Sequence, residues 1–143
     1  MEKIGFIQGT FDMFHIGHLN LIRNAKNVCD YLIVGINTDE LVEKYKQKTP
    51  VVPLKERMEI VSAIKYVDKV VITKDRDKVK LHKKYKFNYL IMGDDWKNTE
   101  FYDKVEKELN ELGVKIIYFP YTKSTSSTKL QKTIDILLKE KED

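Results

Sequence analysis

Two histidines three residues apart, with a glycine between them, are the residues of this sequence best suited to chemistry. Gly9 ends an apolar run of strand length, and His15, Gly17 and His18 follow at the expected start of a helix. Residues at i and i+3 share a helix face. Gly17 has no side chain to keep a phosphate from the backbone, and the free N–H groups and positive dipole end of a helix N-terminus attract anions. The spacing therefore predicts an anion-binding site.

A His-x-x-His pair also occurs in metal sites and in ordinary packing. A zinc site requires a full set of protein ligands, but the remaining histidine, His82, lies in a lysine-rich segment and the lone cysteine, Cys29, lies a helix away. We therefore expect no metal held by protein side chains at this pair. On spacing alone, packing without a binding role stays open.

Five apolar runs of strand length alternate with segments of helical spacing. The runs are rich in β-branched and aromatic residues and cover residues 3–9, 31–37, 69–73, 88–93 and 114–119. Helical spacing occurs at about residues 16–29, 53–66, 76–86, 98–112 and 126–141. The alternation predicts an α/β fold, a doubly wound (Rossmann-like) five-stranded parallel sheet with helices on both faces. We expect one domain over residues 1–143.

Ligands of such sheets bind outside the carboxyl ends of the strands, and two chemically distinctive stretches lie at the predicted ends. Residues 92–96 (MGDDW) follow the fourth strand, and the hydroxyl-rich residues 120–130 open the last helix. Adjacent acids also form turns that cap helices, and Ser or Thr at a helix start caps free N–H groups. Both structural roles stay open beside ligand binding.

Residues 40–57 stand apart from the rest of the chain. They hold two of the three prolines and several lysines between a strand and a helix, and they form a longer stretch than an ordinary β-α connection. Long connections of this kind tend to be functional or mobile. We expect a lid over the site.

Composition and charge restrict the classes of protein that this chain fits. Its 143 residues, with 42% hydrophobic and 34% charged residues, contain no apolar run near the ~20 residues that span a bilayer. The first residues lack the zones of a secretory signal and one cysteine cannot form an internal disulfide, so we expect a cytoplasmic protein. The net charge of +4 suits polyanionic ligands, although lysines scattered on helix faces explain much of it. A nucleic-acid-binding domain is a remote alternative.

Taken together, these motifs resemble the cytidylyltransferases of the HxGH nucleotidyltransferase superfamily, most of all the glycerol-3-phosphate cytidylyltransferases. The resemblance covers nearly the whole chain. It rests on residues 9–12 (GTFD) with 15–18 (HIGH), 30–40 (DYLIVGINTDE), 56–71 (ERMEIVSAIKYVDKVV), 92–96 (MGDDW) and 126–130 (SSTKL).

The resemblance implies a role for each matching residue. His15 and His18 would contact the nucleotide phosphates and stabilise the charge that develops as pyrophosphate leaves. Lys48 is similar to a lid lysine that bridges the α-phosphate and the acceptor phosphate, with Lys46 as a near alternative, and Arg57 is similar to an arginine used near the active site. The remaining implied contacts are with the nucleotide at Gly9, Thr10, Phe11, Gly17, Asp94, Asp95, Trp96, Thr122, Ser126, Ser127 and Thr128, and with the acceptor at Asp12 and Lys46.

Four of these residues keep a structural alternative. Arg57 fits a charge pair that holds its helix to the sheet, Asp94 and Asp95 fit a helix-capping turn, and Trp96 fits the core.

The last motif departs from the family pattern. Glycerol-3-phosphate cytidylyltransferases read Arg-Thr-Glu-Gly-Ile-Ser-Thr-Thr there, whereas this chain has Tyr121 for the arginine, Ser124 for the glycine and Thr125 for the isoleucine. Lys123 or Lys129 can supply a charge, but lysine lacks the planar fork of arginine. The departure bears on phosphate geometry and on nucleotide preference.

The reaction implied by the resemblance is transfer of CMP from CTP to a small phosphoalcohol, first of all glycerol-3-phosphate, with release of pyrophosphate. Phosphoethanolamine, phosphocholine, another phosphoalcohol, or adenylyl transfer from ATP are alternatives. We expect Mg²⁺ bound mainly through the phosphates, and the resemblance implies a homodimer. No nucleic-acid or membrane partner is expected.

Overall fold

The computed structural model describes residues 2–97, 99–120 and 127–142. Over these residues the strands are β1 (Ile4–Gly9), β2 (Tyr31–Asn37), β3 (Lys69–Thr73), β4 (Tyr89–Gly93) and β5 (Lys115–Phe119). The helices are α1 (Ile16–Val28), α2 (Asp39–Lys46), α3 (Leu54–Ser62), α4 (Lys78–Tyr85), α5 (Glu100–Glu111) and α6 (Ser127–Glu142), and residues Asp94–Trp96 form one turn of 3₁₀ helix.

The five strands form one parallel sheet in the order β3-β2-β1-β4-β5. This architecture confirms the predicted fold class, and each strand lies within a residue of its expected bounds. β1 is central because its apolar side chains are buried on both faces of the sheet. The order reverses at β1, so its carboxyl end is the switch point where open sheets of this kind bind ligands.

Two separate clusters of buried side chains cover the two faces of the sheet. Phe6 belongs to the cluster that includes side chains from α4 and α5, such as Leu81 and Leu109. Ile7, its neighbour in β1, belongs to the cluster that includes side chains from α1 and α3, such as Ile22. Successive strand residues point to opposite faces, so the alternation along β1 assigns α1 and α3 to one face and α4 and α5 to the other.

Helix α2 is an element that the sequence analysis missed, because we expected one long connection over residues 40–57. Its signals are local: the Thr38 hydroxyl accepts the Leu41 N–H at 3.1 Å as a cap, Asp39 and Glu40 lie in the first turn, and lysines lie in the last. Leu41 and Val42 are buried on one side. These are the charge and capping preferences of a short helix.

Helix α6 exposes four large apolar side chains, at Ile134, Ile136, Leu137 and Leu138. Within the part of the chain that the structure describes, no helix combines the length and the apolarity needed to cross a membrane.

Candidate functional site

A cavity of about 380 Å³ opens at the carboxyl end of β1. This is the edge at which the sequence analysis predicted a ligand. The residues named from sequence that line this cavity are Gly9, Thr10, Phe11, Asp12, His15, Gly17, His18, Lys46, Lys48 and Asp95. The fold therefore gathers residues from four separate stretches of the sequence around one space.

The two histidines hold each other's backbone at the start of α1. The Gly17 N–H donates to Nδ1 of His15 at 3.0 Å, and the His15 N–H donates to Nδ1 of His18 at 3.2 Å. The rings stack with centroids 3.9 Å apart. An Nδ1 that accepts a hydrogen bond is unprotonated, so the hydrogen-bond network assigns the proton of each neutral ring to Nε2. Both Nε2–H groups can then donate to a ligand oxygen.

Burial keeps both imidazoles neutral near pH 7. Desolvation lowers the pKa of His15, and desolvation, repulsion by His15 when its ring is protonated, and repulsion by Lys46 together lower the pKa of His18 to about 3. The aromatic rings of Phe11 and Phe14 lie at centroid distances of 5.3 Å from the His18 ring. The pair is therefore a preorganised set of neutral donors, and an arriving polyanion would stabilise the protonated form.

The loop between β1 and α1 takes an unusual backbone path that brings Phe11 against His18. Phe11 and Met13 have φ angles of 54° and 47°, a region in which non-glycine residues are uncommon. A Cβ on Gly9 would lie 2.8 Å from the Phe11 ring. Glycine at position 9 thus lets the ring fold back and pack beside the histidine.

Asp12 fastens the segment between α2 and α3 to this loop. Its carboxylate accepts the N–H groups of Val51 and Val52, both at 2.8 Å. Asp12 also lines the cavity, so the role of an acceptor ligand that the sequence analysis gave it stays a prediction. The expected lid is anchored at this point, and it is shorter than predicted because α2 takes up its first half.

Arg57 lies behind the cavity and does not line it. Its guanidinium is 1% exposed and donates to the carbonyl oxygens of Thr10 at 2.6 Å, Asn37 at 2.9 Å and Val52 at 2.8 Å. It also pairs with the carboxylate of Asp39 at 2.5 Å. These contacts match the structural alternative stated above: Arg57 ties α3 to the ends of β1 and β2.

The two lid lysines lie on either side of a residue with a left-handed backbone conformation. Lys46 ends α2, Gln47 has a φ of 56°, and Lys48 follows. Both lysines are exposed and both line the cavity. The geometry thus admits either one as the bridging lysine.

At the β4 end, the two aspartates differ in their relation to the cavity. Asp95 lines it whereas Asp94 does not, and burial with the adjacent charge of Asp94 raises the pKa of Asp95. The backbone of Trp96 completes the 3₁₀ turn. Ser127 and Thr128 begin α6, while Thr122 and Ser126, together with Tyr121, Lys123, Ser124 and Thr125, lie outside the described residues.

The sequence analysis missed a polar chain that continues the cavity on the α4 and α5 side of the sheet. Lys78 donates to Oε1 of Gln8, and Nε2 of Gln8 donates to Oδ1 of Asn37 at 2.9 Å. Asn37 then donates to the Tyr45 hydroxyl at 3.2 Å, which lies 3.1 Å from the Thr10 hydroxyl. Arg76 lines the same part of the cavity. The available signal was Gln8, a polar residue inside a central apolar strand.

Comparisons with known proteins place this chain among nucleotide-transferring enzymes. A family model described as cytidylyltransferase-like matches residues 6–137. A glycerol-3-phosphate cytidylyltransferase of Bacillus spizizenii is 38% identical over 133 residues, which are 92% of this chain and 96% of that protein. An FAD synthase of Pyrococcus abyssi is 36% identical over 132 residues, 90% of this chain and 87% of that one.

The fold also has a counterpart among solved structures. A lipopolysaccharide core biosynthesis protein from Thermoplasma volcanium superimposes with a TM-score of 0.71 at 23% identity, covering 87% of this chain and all of that chain. At this identity the likeness supports the fold alone.

Proposed function

This chain belongs to the cytidylyltransferase-like family of nucleotidyltransferases, and from that premise we propose that it transfers CMP from CTP to the phosphate of glycerol-3-phosphate. The observation that carries the proposal is the histidine pair at the start of α1. The pair, with its two Nε2–H donors, lines a cavity of about 380 Å³, which is in the usual range for small-molecule sites.

The proposed step is an in-line displacement at the α-phosphorus. A phosphate oxygen of the acceptor forms the new P–O bond, the bond to the β-phosphate oxygen breaks, and pyrophosphate leaves with the electron pair. Such transfers need alignment of the reactants and compensation of charge more than covalent chemistry by the protein.

The histidines, the lid lysines and Asp95 each have a role in that step. His15 and His18 donate from Nε2 to phosphate oxygens whose charge grows as pyrophosphate leaves, and fixed donors of this kind stabilise a transition state strongly. Lys48, or Lys46 beside it, brings a flexible positive charge from the lid to the acceptor phosphate. Asp95 accepts hydrogen bonds from the nucleoside at the β4 end.

We expect Mg²⁺ to enter with the nucleotide. Among residues 2–97, 99–120 and 127–142, no cluster of three or more histidine, cysteine or acidic side chains forms a metal cage. Two carboxylates line the cavity, at Asp12 and Asp95, and a Mg²⁺ held mainly by phosphates needs only one or two. When bound, the ion would neutralise charge on the phosphates.

The FAD synthase relative favours a second candidate function. FAD contains an AMP unit joined to a second phosphoester, so the same displacement with ATP in place of CTP would produce it. Phosphoethanolamine is a further acceptor, because residues 63–71 (AIKYVDKVV) also resemble the ethanolamine-phosphate cytidylyltransferases.

A single panel tests these candidates. Pyrophosphate release is measured with CTP or ATP, crossed against glycerol-3-phosphate, phosphoethanolamine, phosphocholine, FMN and heptose-1-phosphate. We expect the highest kcat/KM for CTP with glycerol-3-phosphate. A preference for ATP with FMN would replace this proposal with the second candidate, and no release with any pair would refute both.

We also propose that the protein forms a homodimer. The resemblance and the exposed apolar side chains of α6 at Ile134, Ile136, Leu137 and Leu138 support this assembly. Light scattering after size-exclusion chromatography should give twice the 16.9 kDa mass of the chain, and a monomer at micromolar concentration would contradict it.

A further inference from the structure

A buried lysine lines the cavity on the side away from the histidines. Lys78 is 6% exposed, and the acceptor that the structure gives its ammonium among the described residues is Oε1 of Gln8. An ammonium has more donors than this one contact uses. Burial, with the charge of Arg76, lowers the pKa of Lys78 to about 7.

The position of Lys78 contradicts local preference. It is the first residue of α4, where the positive end of the helix dipole favours acidic side chains and disfavours a cation. Burial of a charge adds a further cost. A residue that breaks local rules at a ligand-binding edge is a candidate for a role in binding.

Arg76 brings a second cation to the same region. Its guanidinium lies 4.3 Å from the centre of the Tyr45 ring and 5.6 Å from that of Phe101. The neighbouring acids have other contacts. Asp75 pairs with Lys80 at 3.3 Å, and Asp77 caps α4 by accepting the N–H groups of Val79 and Lys80.

The layers of the fold separate these cations from the histidines. His15 and His18 belong to α1, on one face of the sheet, while Lys78 begins α4 on the other. The cavity passes between them over the end of β1. If the nucleotide phosphates bind at the start of α1, the acceptor approaches from the α4 side, because an in-line displacement places the attacking and leaving groups on opposite sides of phosphorus.

We propose that Arg76 and Lys78 form the acceptor pocket and select phosphoesters of uncharged or anionic alcohols over phosphoesters that carry an ammonium group. The inference rests on the proposed function and narrows its acceptor class. The Arg76 guanidinium and the Lys78 ammonium, which a bound phosphate dianion would keep protonated, attract the acceptor phosphate. They repel the ammonium of phosphoethanolamine because like charges brought together in a desolvated site are costly.

The test compares two acceptors of similar size. With CTP and Mg²⁺ held constant, kcat/KM is measured for glycerol-3-phosphate and phosphoethanolamine with the wild type, Lys78→Met and Arg76→Gln. The matched control is Lys83→Met on the same helix, whose side chain is exposed and does not line the cavity. We expect the wild type to prefer glycerol-3-phosphate by about 100-fold or more, and each cavity variant to reduce that ratio at least ~10-fold. The control should leave the ratio unchanged.

A ratio that stays within about twofold of wild type in both cavity variants would overturn the inference. Arg76→Gln keeps the test valid should Lys78→Met fail to fold, because Arg76 is only half-buried.

Failure of the proposed function can be distinguished from failure of the acceptor-pocket inference. If the wild type releases no pyrophosphate with any acceptor, the reaction is refuted and the pocket is tested by calorimetric titration with each acceptor alone. Tighter binding of glycerol-3-phosphate than of phosphoethanolamine, lost in Lys78→Met, would still support the inference. Equal binding of the two, or binding of neither, would overturn it.

Discussion

The first turns of α1 and α4 lie on opposite faces of the sheet and contribute side chains to the same cavity. At α1, the Nδ1 atoms of His15 and His18 are satisfied within four residues of chain, by the N–H groups of Gly17 and His15. At α4, Lys78 has its hydrogen-bond acceptor 70 residues away, on Gln8. One site is built from local contacts, and the other depends on how distant strands pack.

We expect this difference to separate control of turnover from control of acceptor choice. A locally built donor pair keeps its geometry whatever binds opposite to it, so we expect changes at α1 to affect turnover with every acceptor. The α4 side is held by the chain Lys78–Gln8–Asn37–Tyr45, and we expect changes there to affect the choice among acceptors.

His18→Ala gives the largest expected effect. It removes a fixed donor to the leaving phosphates and should lower kcat by roughly 10²–10⁴ with every acceptor. The measurement is steady-state pyrophosphate release with saturating CTP, together with circular dichroism to show that the fold is intact.

His82→Ala is the matched control, because this histidine lies on α4 and does not line the cavity. Activity of His18→Ala within about threefold of wild type would refute the role of the pair, since a lost transition-state donor costs far more.

Arg57→Met has the next largest expected effect, which is a loss of stability. It leaves the carbonyl oxygens of Thr10, Asn37 and Val52 and the carboxylate of Asp39 without their shared donor. Removing one partner of a buried charged network costs about 3–5 kcal/mol of unfolding free energy. Urea unfolding measures the loss, with the exposed Lys55→Met on the same helix as control.

If Arg57→Met loses less than about 1 kcal/mol of unfolding free energy but its kcat falls strongly, the result would instead support the role near the active site that the resemblance implies for Arg57.

The fold was predictable because its signals are local. The five strands are apolar runs whose bounds agree with the prediction within a residue, and the helices between them had regular spacing, although α3 ends at Ser62, four residues before its expected end. Helix α2 was not predicted because its eight residues include few apolar ones. The prolines that follow it led us to expect one loop over the whole stretch. Its cap, Thr38, and its charge order were visible in the sequence.

The site was predictable to the extent that it is contiguous. The residues around His15 form one motif, whereas Lys78, Gln8 and Tyr45 meet only because β1, β2 and β3 are neighbours. Lys78 also lies in a lysine-rich stretch that resembles a solvated surface. Periodicity cannot single out the one lysine of that stretch that is buried.

The two lid lysines give the third prediction. Lys48→Ala should raise the acceptor KM by about 10- to 100-fold, since a hydrogen bond to a charged group contributes about 1.5–3 kcal/mol. Lys46→Ala is the matched variant, because both side chains are exposed and line the cavity. A larger change in Lys46→Ala would identify Lys46 as the bridging residue.

The last expected effect is a pH dependence of stability at the start of α4. The folded pKa of Lys78 is about 7, and the unfolded pKa of lysine is about 10.4. Below pH 7 both states carry the charge, so its burial cost is fully present. Between pH 7 and about 10 the folded state releases the proton first and the cost disappears, so stability rises with pH.

Lys78→Met abolishes this titration. The unfolding free energy of the wild type should therefore rise, relative to that of the variant, by up to about 1.4 kcal/mol per pH unit over that range. The difference between the two urea unfolding free energies, measured at pH 6, 8 and 9.5, isolates the effect because every other group titrates in both proteins. The unsatisfied Gln8 oxygen in the variant adds a constant offset and leaves the slope unchanged. A difference that does not vary with pH would mean that water already solvates the ammonium in the cavity, and α4 would then resemble an ordinary exposed helix start.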